Sequence, residues 1–132
     1  MAGELILIVE DNDKNLKLAR DVLQYRGFRT LEAMTAAEGV KLAIEHRPDL
    51  VLMDIQLPDA DGVSALQQLR ADASTRAVPV VAFTASVMDS DRQRLAAAGF
   101  DGYLAKPIDV KAFPDQVRSY LGPASEGRCA GA

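Results

Sequence analysis

Asp49–Leu50–Val51–Leu52–Met53–Asp54, running on into Ile55–Gln56–Leu57–Pro58, is the stretch whose reading decides the fold. Four consecutive apolar residues are too few to span a membrane. They suit a strand covered on both faces, as in a sheet with helices above and below. Asp54 stands where that strand ends, and Pro58 forbids its continuation. A carboxylate at the tip of a buried strand is costly unless something compensates it. At the carboxyl end of a parallel strand, however, it lies where open α/β sheets bind ligands.

Outward from this stretch, the chain repeats the same rhythm. Leu5–Ile6–Leu7–Ile8–Val9 is a second continuous apolar run, followed by Glu10, Asp11, Asn12 and Asp13. Asn12 or Asp13 can cap a helix to about Arg26, with Leu16, Ala19, Val22 and Leu23 inward and Gly27 as its stop. Phe28–Ala33 is a short strand of mixed polarity, placed near the sheet edge. Thr35 and Glu38 form a capping box that opens a helix through Arg47, stopped by Pro48. Gly39 inside that helix costs about 1 kcal/mol relative to alanine, so packing must fix it.

After the Pro58–Asp59–Ala60–Asp61–Gly62 turn, Val63, Leu66 and Leu69 mark a third helix to about Ala71. A polar connection over Asp72–Val78 leads to the strand Val80–Phe83, which ends at Thr84. Asp89 or Ser90 caps a helix through Ala98, with Gly99 as its stop. Asp101–Ala105 is the fifth strand, ending at Lys106–Pro107. A turn over 109–112 then leads into a regular helix from about Phe113, with Phe113, Val117, Tyr120 and Leu121 inward. Residues 1–121 are expected to form one domain, and the Gly- and Ala-rich residues 122–132 a disordered tail.

The composition fits this plan. At 132 residues the chain is about one domain, and with 48% hydrophobic residues it can bury a sizeable core. A net charge of −4 argues against a nucleic-acid-binding surface, which is normally basic. Nothing resembles a membrane span or a signal peptide, and the single cysteine, Cys129, cannot form an internal disulfide. The expected compartment is the cytoplasm.

Five strands alternating with five helices imply parallel strands joined by right-handed crossovers, with all carboxyl ends on one edge. Glu10, Asp11, Asp54, Thr84 and Lys106 should therefore converge. Clustered carboxylates repel unless a cation compensates them. Oxygen ligands without paired His or Cys suggest a hard ion, and Mg²⁺ accepts a few carboxylates while keeping waters. With a lysine and a hydroxyl beside it, such a cluster can receive a phosphoryl group while a carboxylate attacks phosphorus in line. Asp54, central in the sheet, is the expected nucleophile.

Ile8–Val9–Glu10–Asp11–Asn12, Asp49–Asp54 with Leu57–Pro58 and Asp61–Gly62, Phe83–Thr84–Ala85, and Tyr103–Leu104–Ala105–Lys106–Pro107 together resemble a response-regulator receiver domain of the CheY-like family. The resemblance covers about residues 4–121. It implies a flavodoxin-like (βα)5 sandwich with a five-stranded parallel sheet in order 2-1-3-4-5. It also implies that Asp54 accepts a phosphoryl group from a phosphohistidine on a sensor histidine kinase or a histidine phosphotransfer protein.

The resemblance further assigns Asp11, Asp54 and the main-chain carbonyl of Gln56 to Mg²⁺, with Glu10 holding it directly or through water. Lys106 would bind a phosphate oxygen, Thr84 would move toward the phosphate, and Tyr103 would swing inward behind it. The surface of the fourth helix, fifth strand and fifth helix would then change its protein target. The family has a cis peptide that would fall at Lys106–Pro107. Only eleven residues follow Leu121, so the chain resembles the stand-alone receivers, in wording most like the DivK kind.

Plainer readings compete. Asp54 could merely cap a turn, Glu10 and Asp11 could be a helix-start pair, and Lys106 a solvated surface residue. Thr84 could be an ordinary strand end, and Tyr103 a half-buried strand tyrosine. Ser86 and Gln56 fit a role in tuning phosphate lifetime and an incidental loop position equally well, and His46 is assigned no catalysis. A calcium loop fails, because aligning Gly62 with its glycine puts Leu57 first and Gln68 last. Neither G-x-x-x-x-G-K-[ST] nor a G-x-G-x-x-G after Val9 occurs. One rival is a phosphohydrolase with an aspartate nucleophile, which generally carries a second Asp two residues on; here that position is Gln56. Another is a degenerate receiver that binds partners without phosphate, against which Asp11, Asp54, Thr84 and Lys106 count.

Overall fold

A computed structural model of the chain describes residues 4–54, 62–84, 93, 97–105 and 110–120. The elements run β1 (Leu5–Val9), α1 (Asp13–Tyr25), β2 (Arg29–Ala33), α2 (Ala36–His46), β3 (Leu50–Asp54), α3 (Gly62–Ala71), β4 (Val80–Thr84) and β5 (Gly102–Ala105). A helix α4, described at 93, 97 and 98, precedes β5, and a helix α5 covers 113–120 after a turn at 110–112. All strand pairs are parallel, and the order is β2-β1-β3-β4-β5. This is the flavodoxin-like sandwich, with the strand order, that the family resemblance implies.

The two sheet faces divide the apolar runs by strict alternation, as the period-2 geometry of a strand requires. Leu7, Val9, Val51, Met53, Val80 and Ala82 face one side, with Ala36, Val40 and Ala43 of α2 and Ala65, Leu66 and Leu69 of α3. Ile6, Ile8, Leu50, Leu52, Val81 and Phe83 face the other, under Leu16, Ala19 and Leu23 of α1 and Phe113 and Val117 of α5. Every residue of β3 is buried. A central strand covered on both sides thus reads as a continuous apolar run, whereas the edge strand β2 is mostly half-exposed.

The helix ends follow local chemistry. Asn12, not Asp13, is the cap of α1: its side chain accepts from the N–H of Lys14 and of Asn15. At the other end Gly27 adopts φ 91°, with Phe28 N–H donating to the Leu23 carbonyl and Gly27 N–H to that of Gln24. That pair of bonds is the Schellman closure. Thr35 Oγ1 accepts from Glu38 N–H, while the Glu38 carboxylate reaches back to the Met34 N–H. Arg47, held before Pro48, closes α2 in the left-handed region at φ 49°.

Gly39 is fixed by packing, as its helical position demanded. A Cβ there would lie 2.7 Å from Val9 Cγ2 and 3.1 Å from Cγ1, so the missing side chain lets α2 settle directly on β1. Asp101, expected within β5, instead precedes it. Its carboxylate accepts from Val80 N–H at 2.7 Å and from Arg70 at 2.9 Å, while its own N–H donates to the Val80 carbonyl at 2.8 Å, so Asp101 joins the start of β4 to the residue before β5. The expected cap at Asp89 or Ser90, the Pro58 turn, the inward Leu121, the Lys106–Pro107 peptide and the tail with Cys129 lie outside the described residues.

Candidate metal and phosphoacceptor site

The β1–β3 register pairs Val9 with Met53. The next residues on the two strands, Glu10 and Asp54, therefore stand side by side at the carboxyl edge of the sheet. Glu10 remains tied to the sheet through its N–H, which donates to the Ala33 carbonyl at 2.9 Å. Asp54 is the last residue of β3 and pairs with Phe83 of β4. Glu10 is fully buried, Asp54 is 5% exposed, and Asp11 is open to solvent. One carboxylate oxygen from each of the three lies within 4.8 Å of the others.

Three negative groups at this spacing, two of them buried, need compensation. A pair of unit charges 4.8 Å apart repels by about 3.5 kcal/mol at an effective dielectric of about 20. Part of it comes from the fold. Asn12 N–H donates to Glu10 Oε1 at 3.1 Å, and α1 begins at Asp13, so the positive end of the helix dipole lies next in the chain to these acids. The donor set itself favours a cation. Three carboxylates and no imidazole or thiolate form an oxygen-only group suited to a hard divalent ion such as Mg²⁺, which also keeps several waters. The solvent-facing Asp11 leaves room for those waters.

The remaining sequence candidates divide by what is described. Thr84 closes β4 and pairs with Ala105, the residue before Lys106, so the ends of β4 and β5 lie in step at the same edge. The Thr84 side chain, Lys106, Gln56 and Ser86 lie outside the described side chains. Tyr103 is half-buried and packs against the face carrying α2 and α3. Its main-chain oxygen faces the Tyr120 hydroxyl of α5 at 3.4 Å, and Tyr103, Leu104, Gln116, Ser119 and Tyr120 line a cavity of about 300 Å³. His46 lies at the end of α2, where its Nε2 is 3.9 Å from Glu45. Sequence reading saw Asn12 only as a helix cap and missed its bond to Glu10. The Glu–Asp–Asn order before an amphipathic helix was the available signal.

Residues 6–118 match the family model described as the response regulator receiver domain. The polar-differentiation response regulator DivK of Brucella anthropi is 44% identical over 119 residues, covering 90% of this chain and 97% of that protein. The DivK of Brucella ovis is 43% identical over the same span. The receiver domain of the sensor histidine kinase PA1611 from Pseudomonas aeruginosa PAO1 superposes with a TM-score of 0.83 at 36% identity, covering 92% of this chain and 99% of that one. That crystal structure holds a magnesium ion in its active-site cleft. The chemotaxis response regulator CheY4 of Vibrio cholerae shares the fold, with a TM-score of 0.86 at 21% identity over 91% of this chain and all of that one.

Proposed function

The chain belongs to the response regulator receiver family, whose role is to accept phosphoryl groups in two-component signalling, and from that membership we propose that Asp54 is its phosphoacceptor. The observation that carries this reading is the meeting of Glu10, Asp11 and Asp54 within 4.8 Å at the carboxyl edge of the sheet. Asp54 is the member on the central strand, nearly buried yet at the open end.

In the transfer, a carboxylate oxygen of Asp54 attacks phosphorus of a phosphohistidine. The new O–P bond forms as the N–P bond breaks, and the electron pair returns to the imidazole nitrogen. Burial of Asp54 on a strand locked between two neighbours holds the nucleophile in line. Bound Mg²⁺ supplies neutralisation of the phosphoryl oxygens and of the acid cluster. Asp11, Asp54 and the Gln56 main-chain carbonyl would hold it, with Glu10 acting directly or through water. Lys106 takes a phosphate oxygen, the Thr84 hydroxyl moves toward the phosphate, and Tyr103 follows inward.

The output is protein binding. Donors are a sensor histidine kinase or a histidine phosphotransfer protein, and the target docks on the α4–β5–α5 face beside Tyr103. Neither nucleic acid nor membrane is a partner. No described helix is long and apolar enough to cross a membrane, and the cytoplasm is the proposed compartment. Gln56 stands where an aspartate phosphohydrolase would carry its acid/base, so the protein is a switch with slow self-dephosphorylation, not a turnover enzyme.

Incubation with Mg²⁺ and acetyl phosphate, followed by intact mass, tests this. The wild type gains one labile phosphoryl group and Asp54→Asn gains none. Absence of any adduct would favour a phosphate-independent binding module, and sustained turnover of generic phosphate esters a hydrolase.

A further inference from the structure

Glu10 is the most deeply buried member of the acid cluster, and Asp11, its neighbour, is the most exposed. Something must fix both carboxylates. Asn12 makes three bonds that bear on this. Its N–H donates to Glu10 Oε1 at 3.1 Å, and its Oδ1 accepts from Lys14 N–H at 3.0 Å and Asn15 N–H at 3.1 Å. Its backbone, at φ −89° and ψ 115°, is the extended conformation an N-cap requires. The side-chain bonds lock that conformation, and that conformation aims the N–H at Glu10. The resulting brace from residue 10 to residue 12 spans Asp11, whose backbone is held between two anchored neighbours.

We propose that Asn12 is a positioning residue for the metal site: by capping α1 it sets the direction of its own N–H, which orients Glu10 and, across the brace, Asp11. The proposal rests on the reading that Glu10, Asp11 and Asp54 take Mg²⁺. It goes beyond it by making the first turn of α1 part of the site. A hydrogen bond from a backbone N–H to a ligating carboxylate is an outer-shell interaction, and loss of such partners typically weakens metal binding by about 10–100-fold. Asn12→Ala keeps the N–H but frees its direction, so the expected loss is at the lower end, about tenfold.

The test is calorimetric titration of the full chain with MgCl2 near room temperature, with a thermal melt of each metal-free variant alongside. Asn12→Ala lowers Mg²⁺ affinity about tenfold and the melting temperature by about 3–6 °C, the shift for a lost cap. Asn12→Ser, which keeps an acceptor for the same two N–H groups, restores both. A purely structural cap would lower the melting temperature and leave Mg²⁺ affinity within twofold of the wild type, and that result overturns the proposal. So does Asn12→Ser recovering the melting temperature without the affinity. If the wild type shows no saturable Mg²⁺ binding, the metal reading itself fails and the proposal with it.

Discussion

Replacing Gly39 with alanine sets two known effects against each other. In an unobstructed helix interior the change gains about 1 kcal/mol, because alanine is the better helix former. Here the new Cβ would sit 2.7 Å from Val9 Cγ2 and 3.1 Å from Cγ1. Ordinary carbon contacts fall at about 3.5–4.0 Å, so the overlap approaches 1 Å. Val9 cannot easily yield: it is fully buried, β-branched and hydrogen-bonded within a central part of the sheet. Overpacking of this kind costs about 1–3 kcal/mol, and the upper half of that range applies because both methyls are met. The net expectation is a loss of about 1–2 kcal/mol, read in urea as a lower midpoint with unchanged slope. Val9 also precedes Glu10, so the strain is delivered to the acid cluster, and Mg²⁺ should bind more weakly. In a double-mutant cycle, Val9→Ala should remove most of the penalty of Gly39→Ala. A Gly39→Ala protein more stable than the wild type by about 1 kcal/mol would refute the close approach of α2 to β1.

Three further outcomes follow from the same geometry. Arg70 donates to the carbonyls of Arg76, Val78 and Gly99 and to Asp101, tying the end of α3 to the starts of β4 and β5. Arg70→Ala should cost about 2 kcal/mol in chemical denaturation, and Arg70→Lys should recover less than half, since a point charge cannot reproduce the fork. Asp72 is held below its ordinary value of 3.8 by the hydroxyl and then the N–H of Ser74. Its contribution to stability is therefore present above the unfolded value and is lost as pH falls through the lower folded one, so Ser74→Ala should flatten that part of the acid limb of stability against pH. Asp54→Asn removes one of three mutually repelling charges. It should raise the metal-free melting temperature while abolishing the stabilisation that millimolar Mg²⁺ gives the wild type.

The sequence made the sheet legible because its strands are covered on both faces. Leu5–Val9 and Leu50–Met53 could be read as buried runs without any knowledge of their neighbours, and their alternation with helices placed Glu10 and Asp54 on one edge. Local signals served the helix ends equally well, at Gly27, at Thr35 and at Arg47–Pro48. What escaped reading depends on contacts that no helix or strand period encodes. The Arg70 clamp joins residues with no periodic relation. Thr75 is fully buried in a connection that reads as polar, because its hydroxyl donates to the Leu69 carbonyl. At Gly102 a Cβ would enter the Tyr120 ring, an approach that spacing along the chain cannot reveal. Asn12 is an intermediate case, legible as a cap but not as a partner of Glu10.

Locating the phosphoryl group tests the central claim most directly. An aspartyl phosphate is an acyl phosphate, so borohydride reduction of the protein after reaction with Mg²⁺ and acetyl phosphate converts the modified side chain to homoserine. Peptide mass mapping should then find homoserine at position 54 and at no other acid, and none when Mg²⁺ is chelated before the phosphodonor is added. Homoserine at Asp11, the one-carbon-longer hydroxynorvaline at Glu10, or a label that forms equally well without Mg²⁺, would contradict the account.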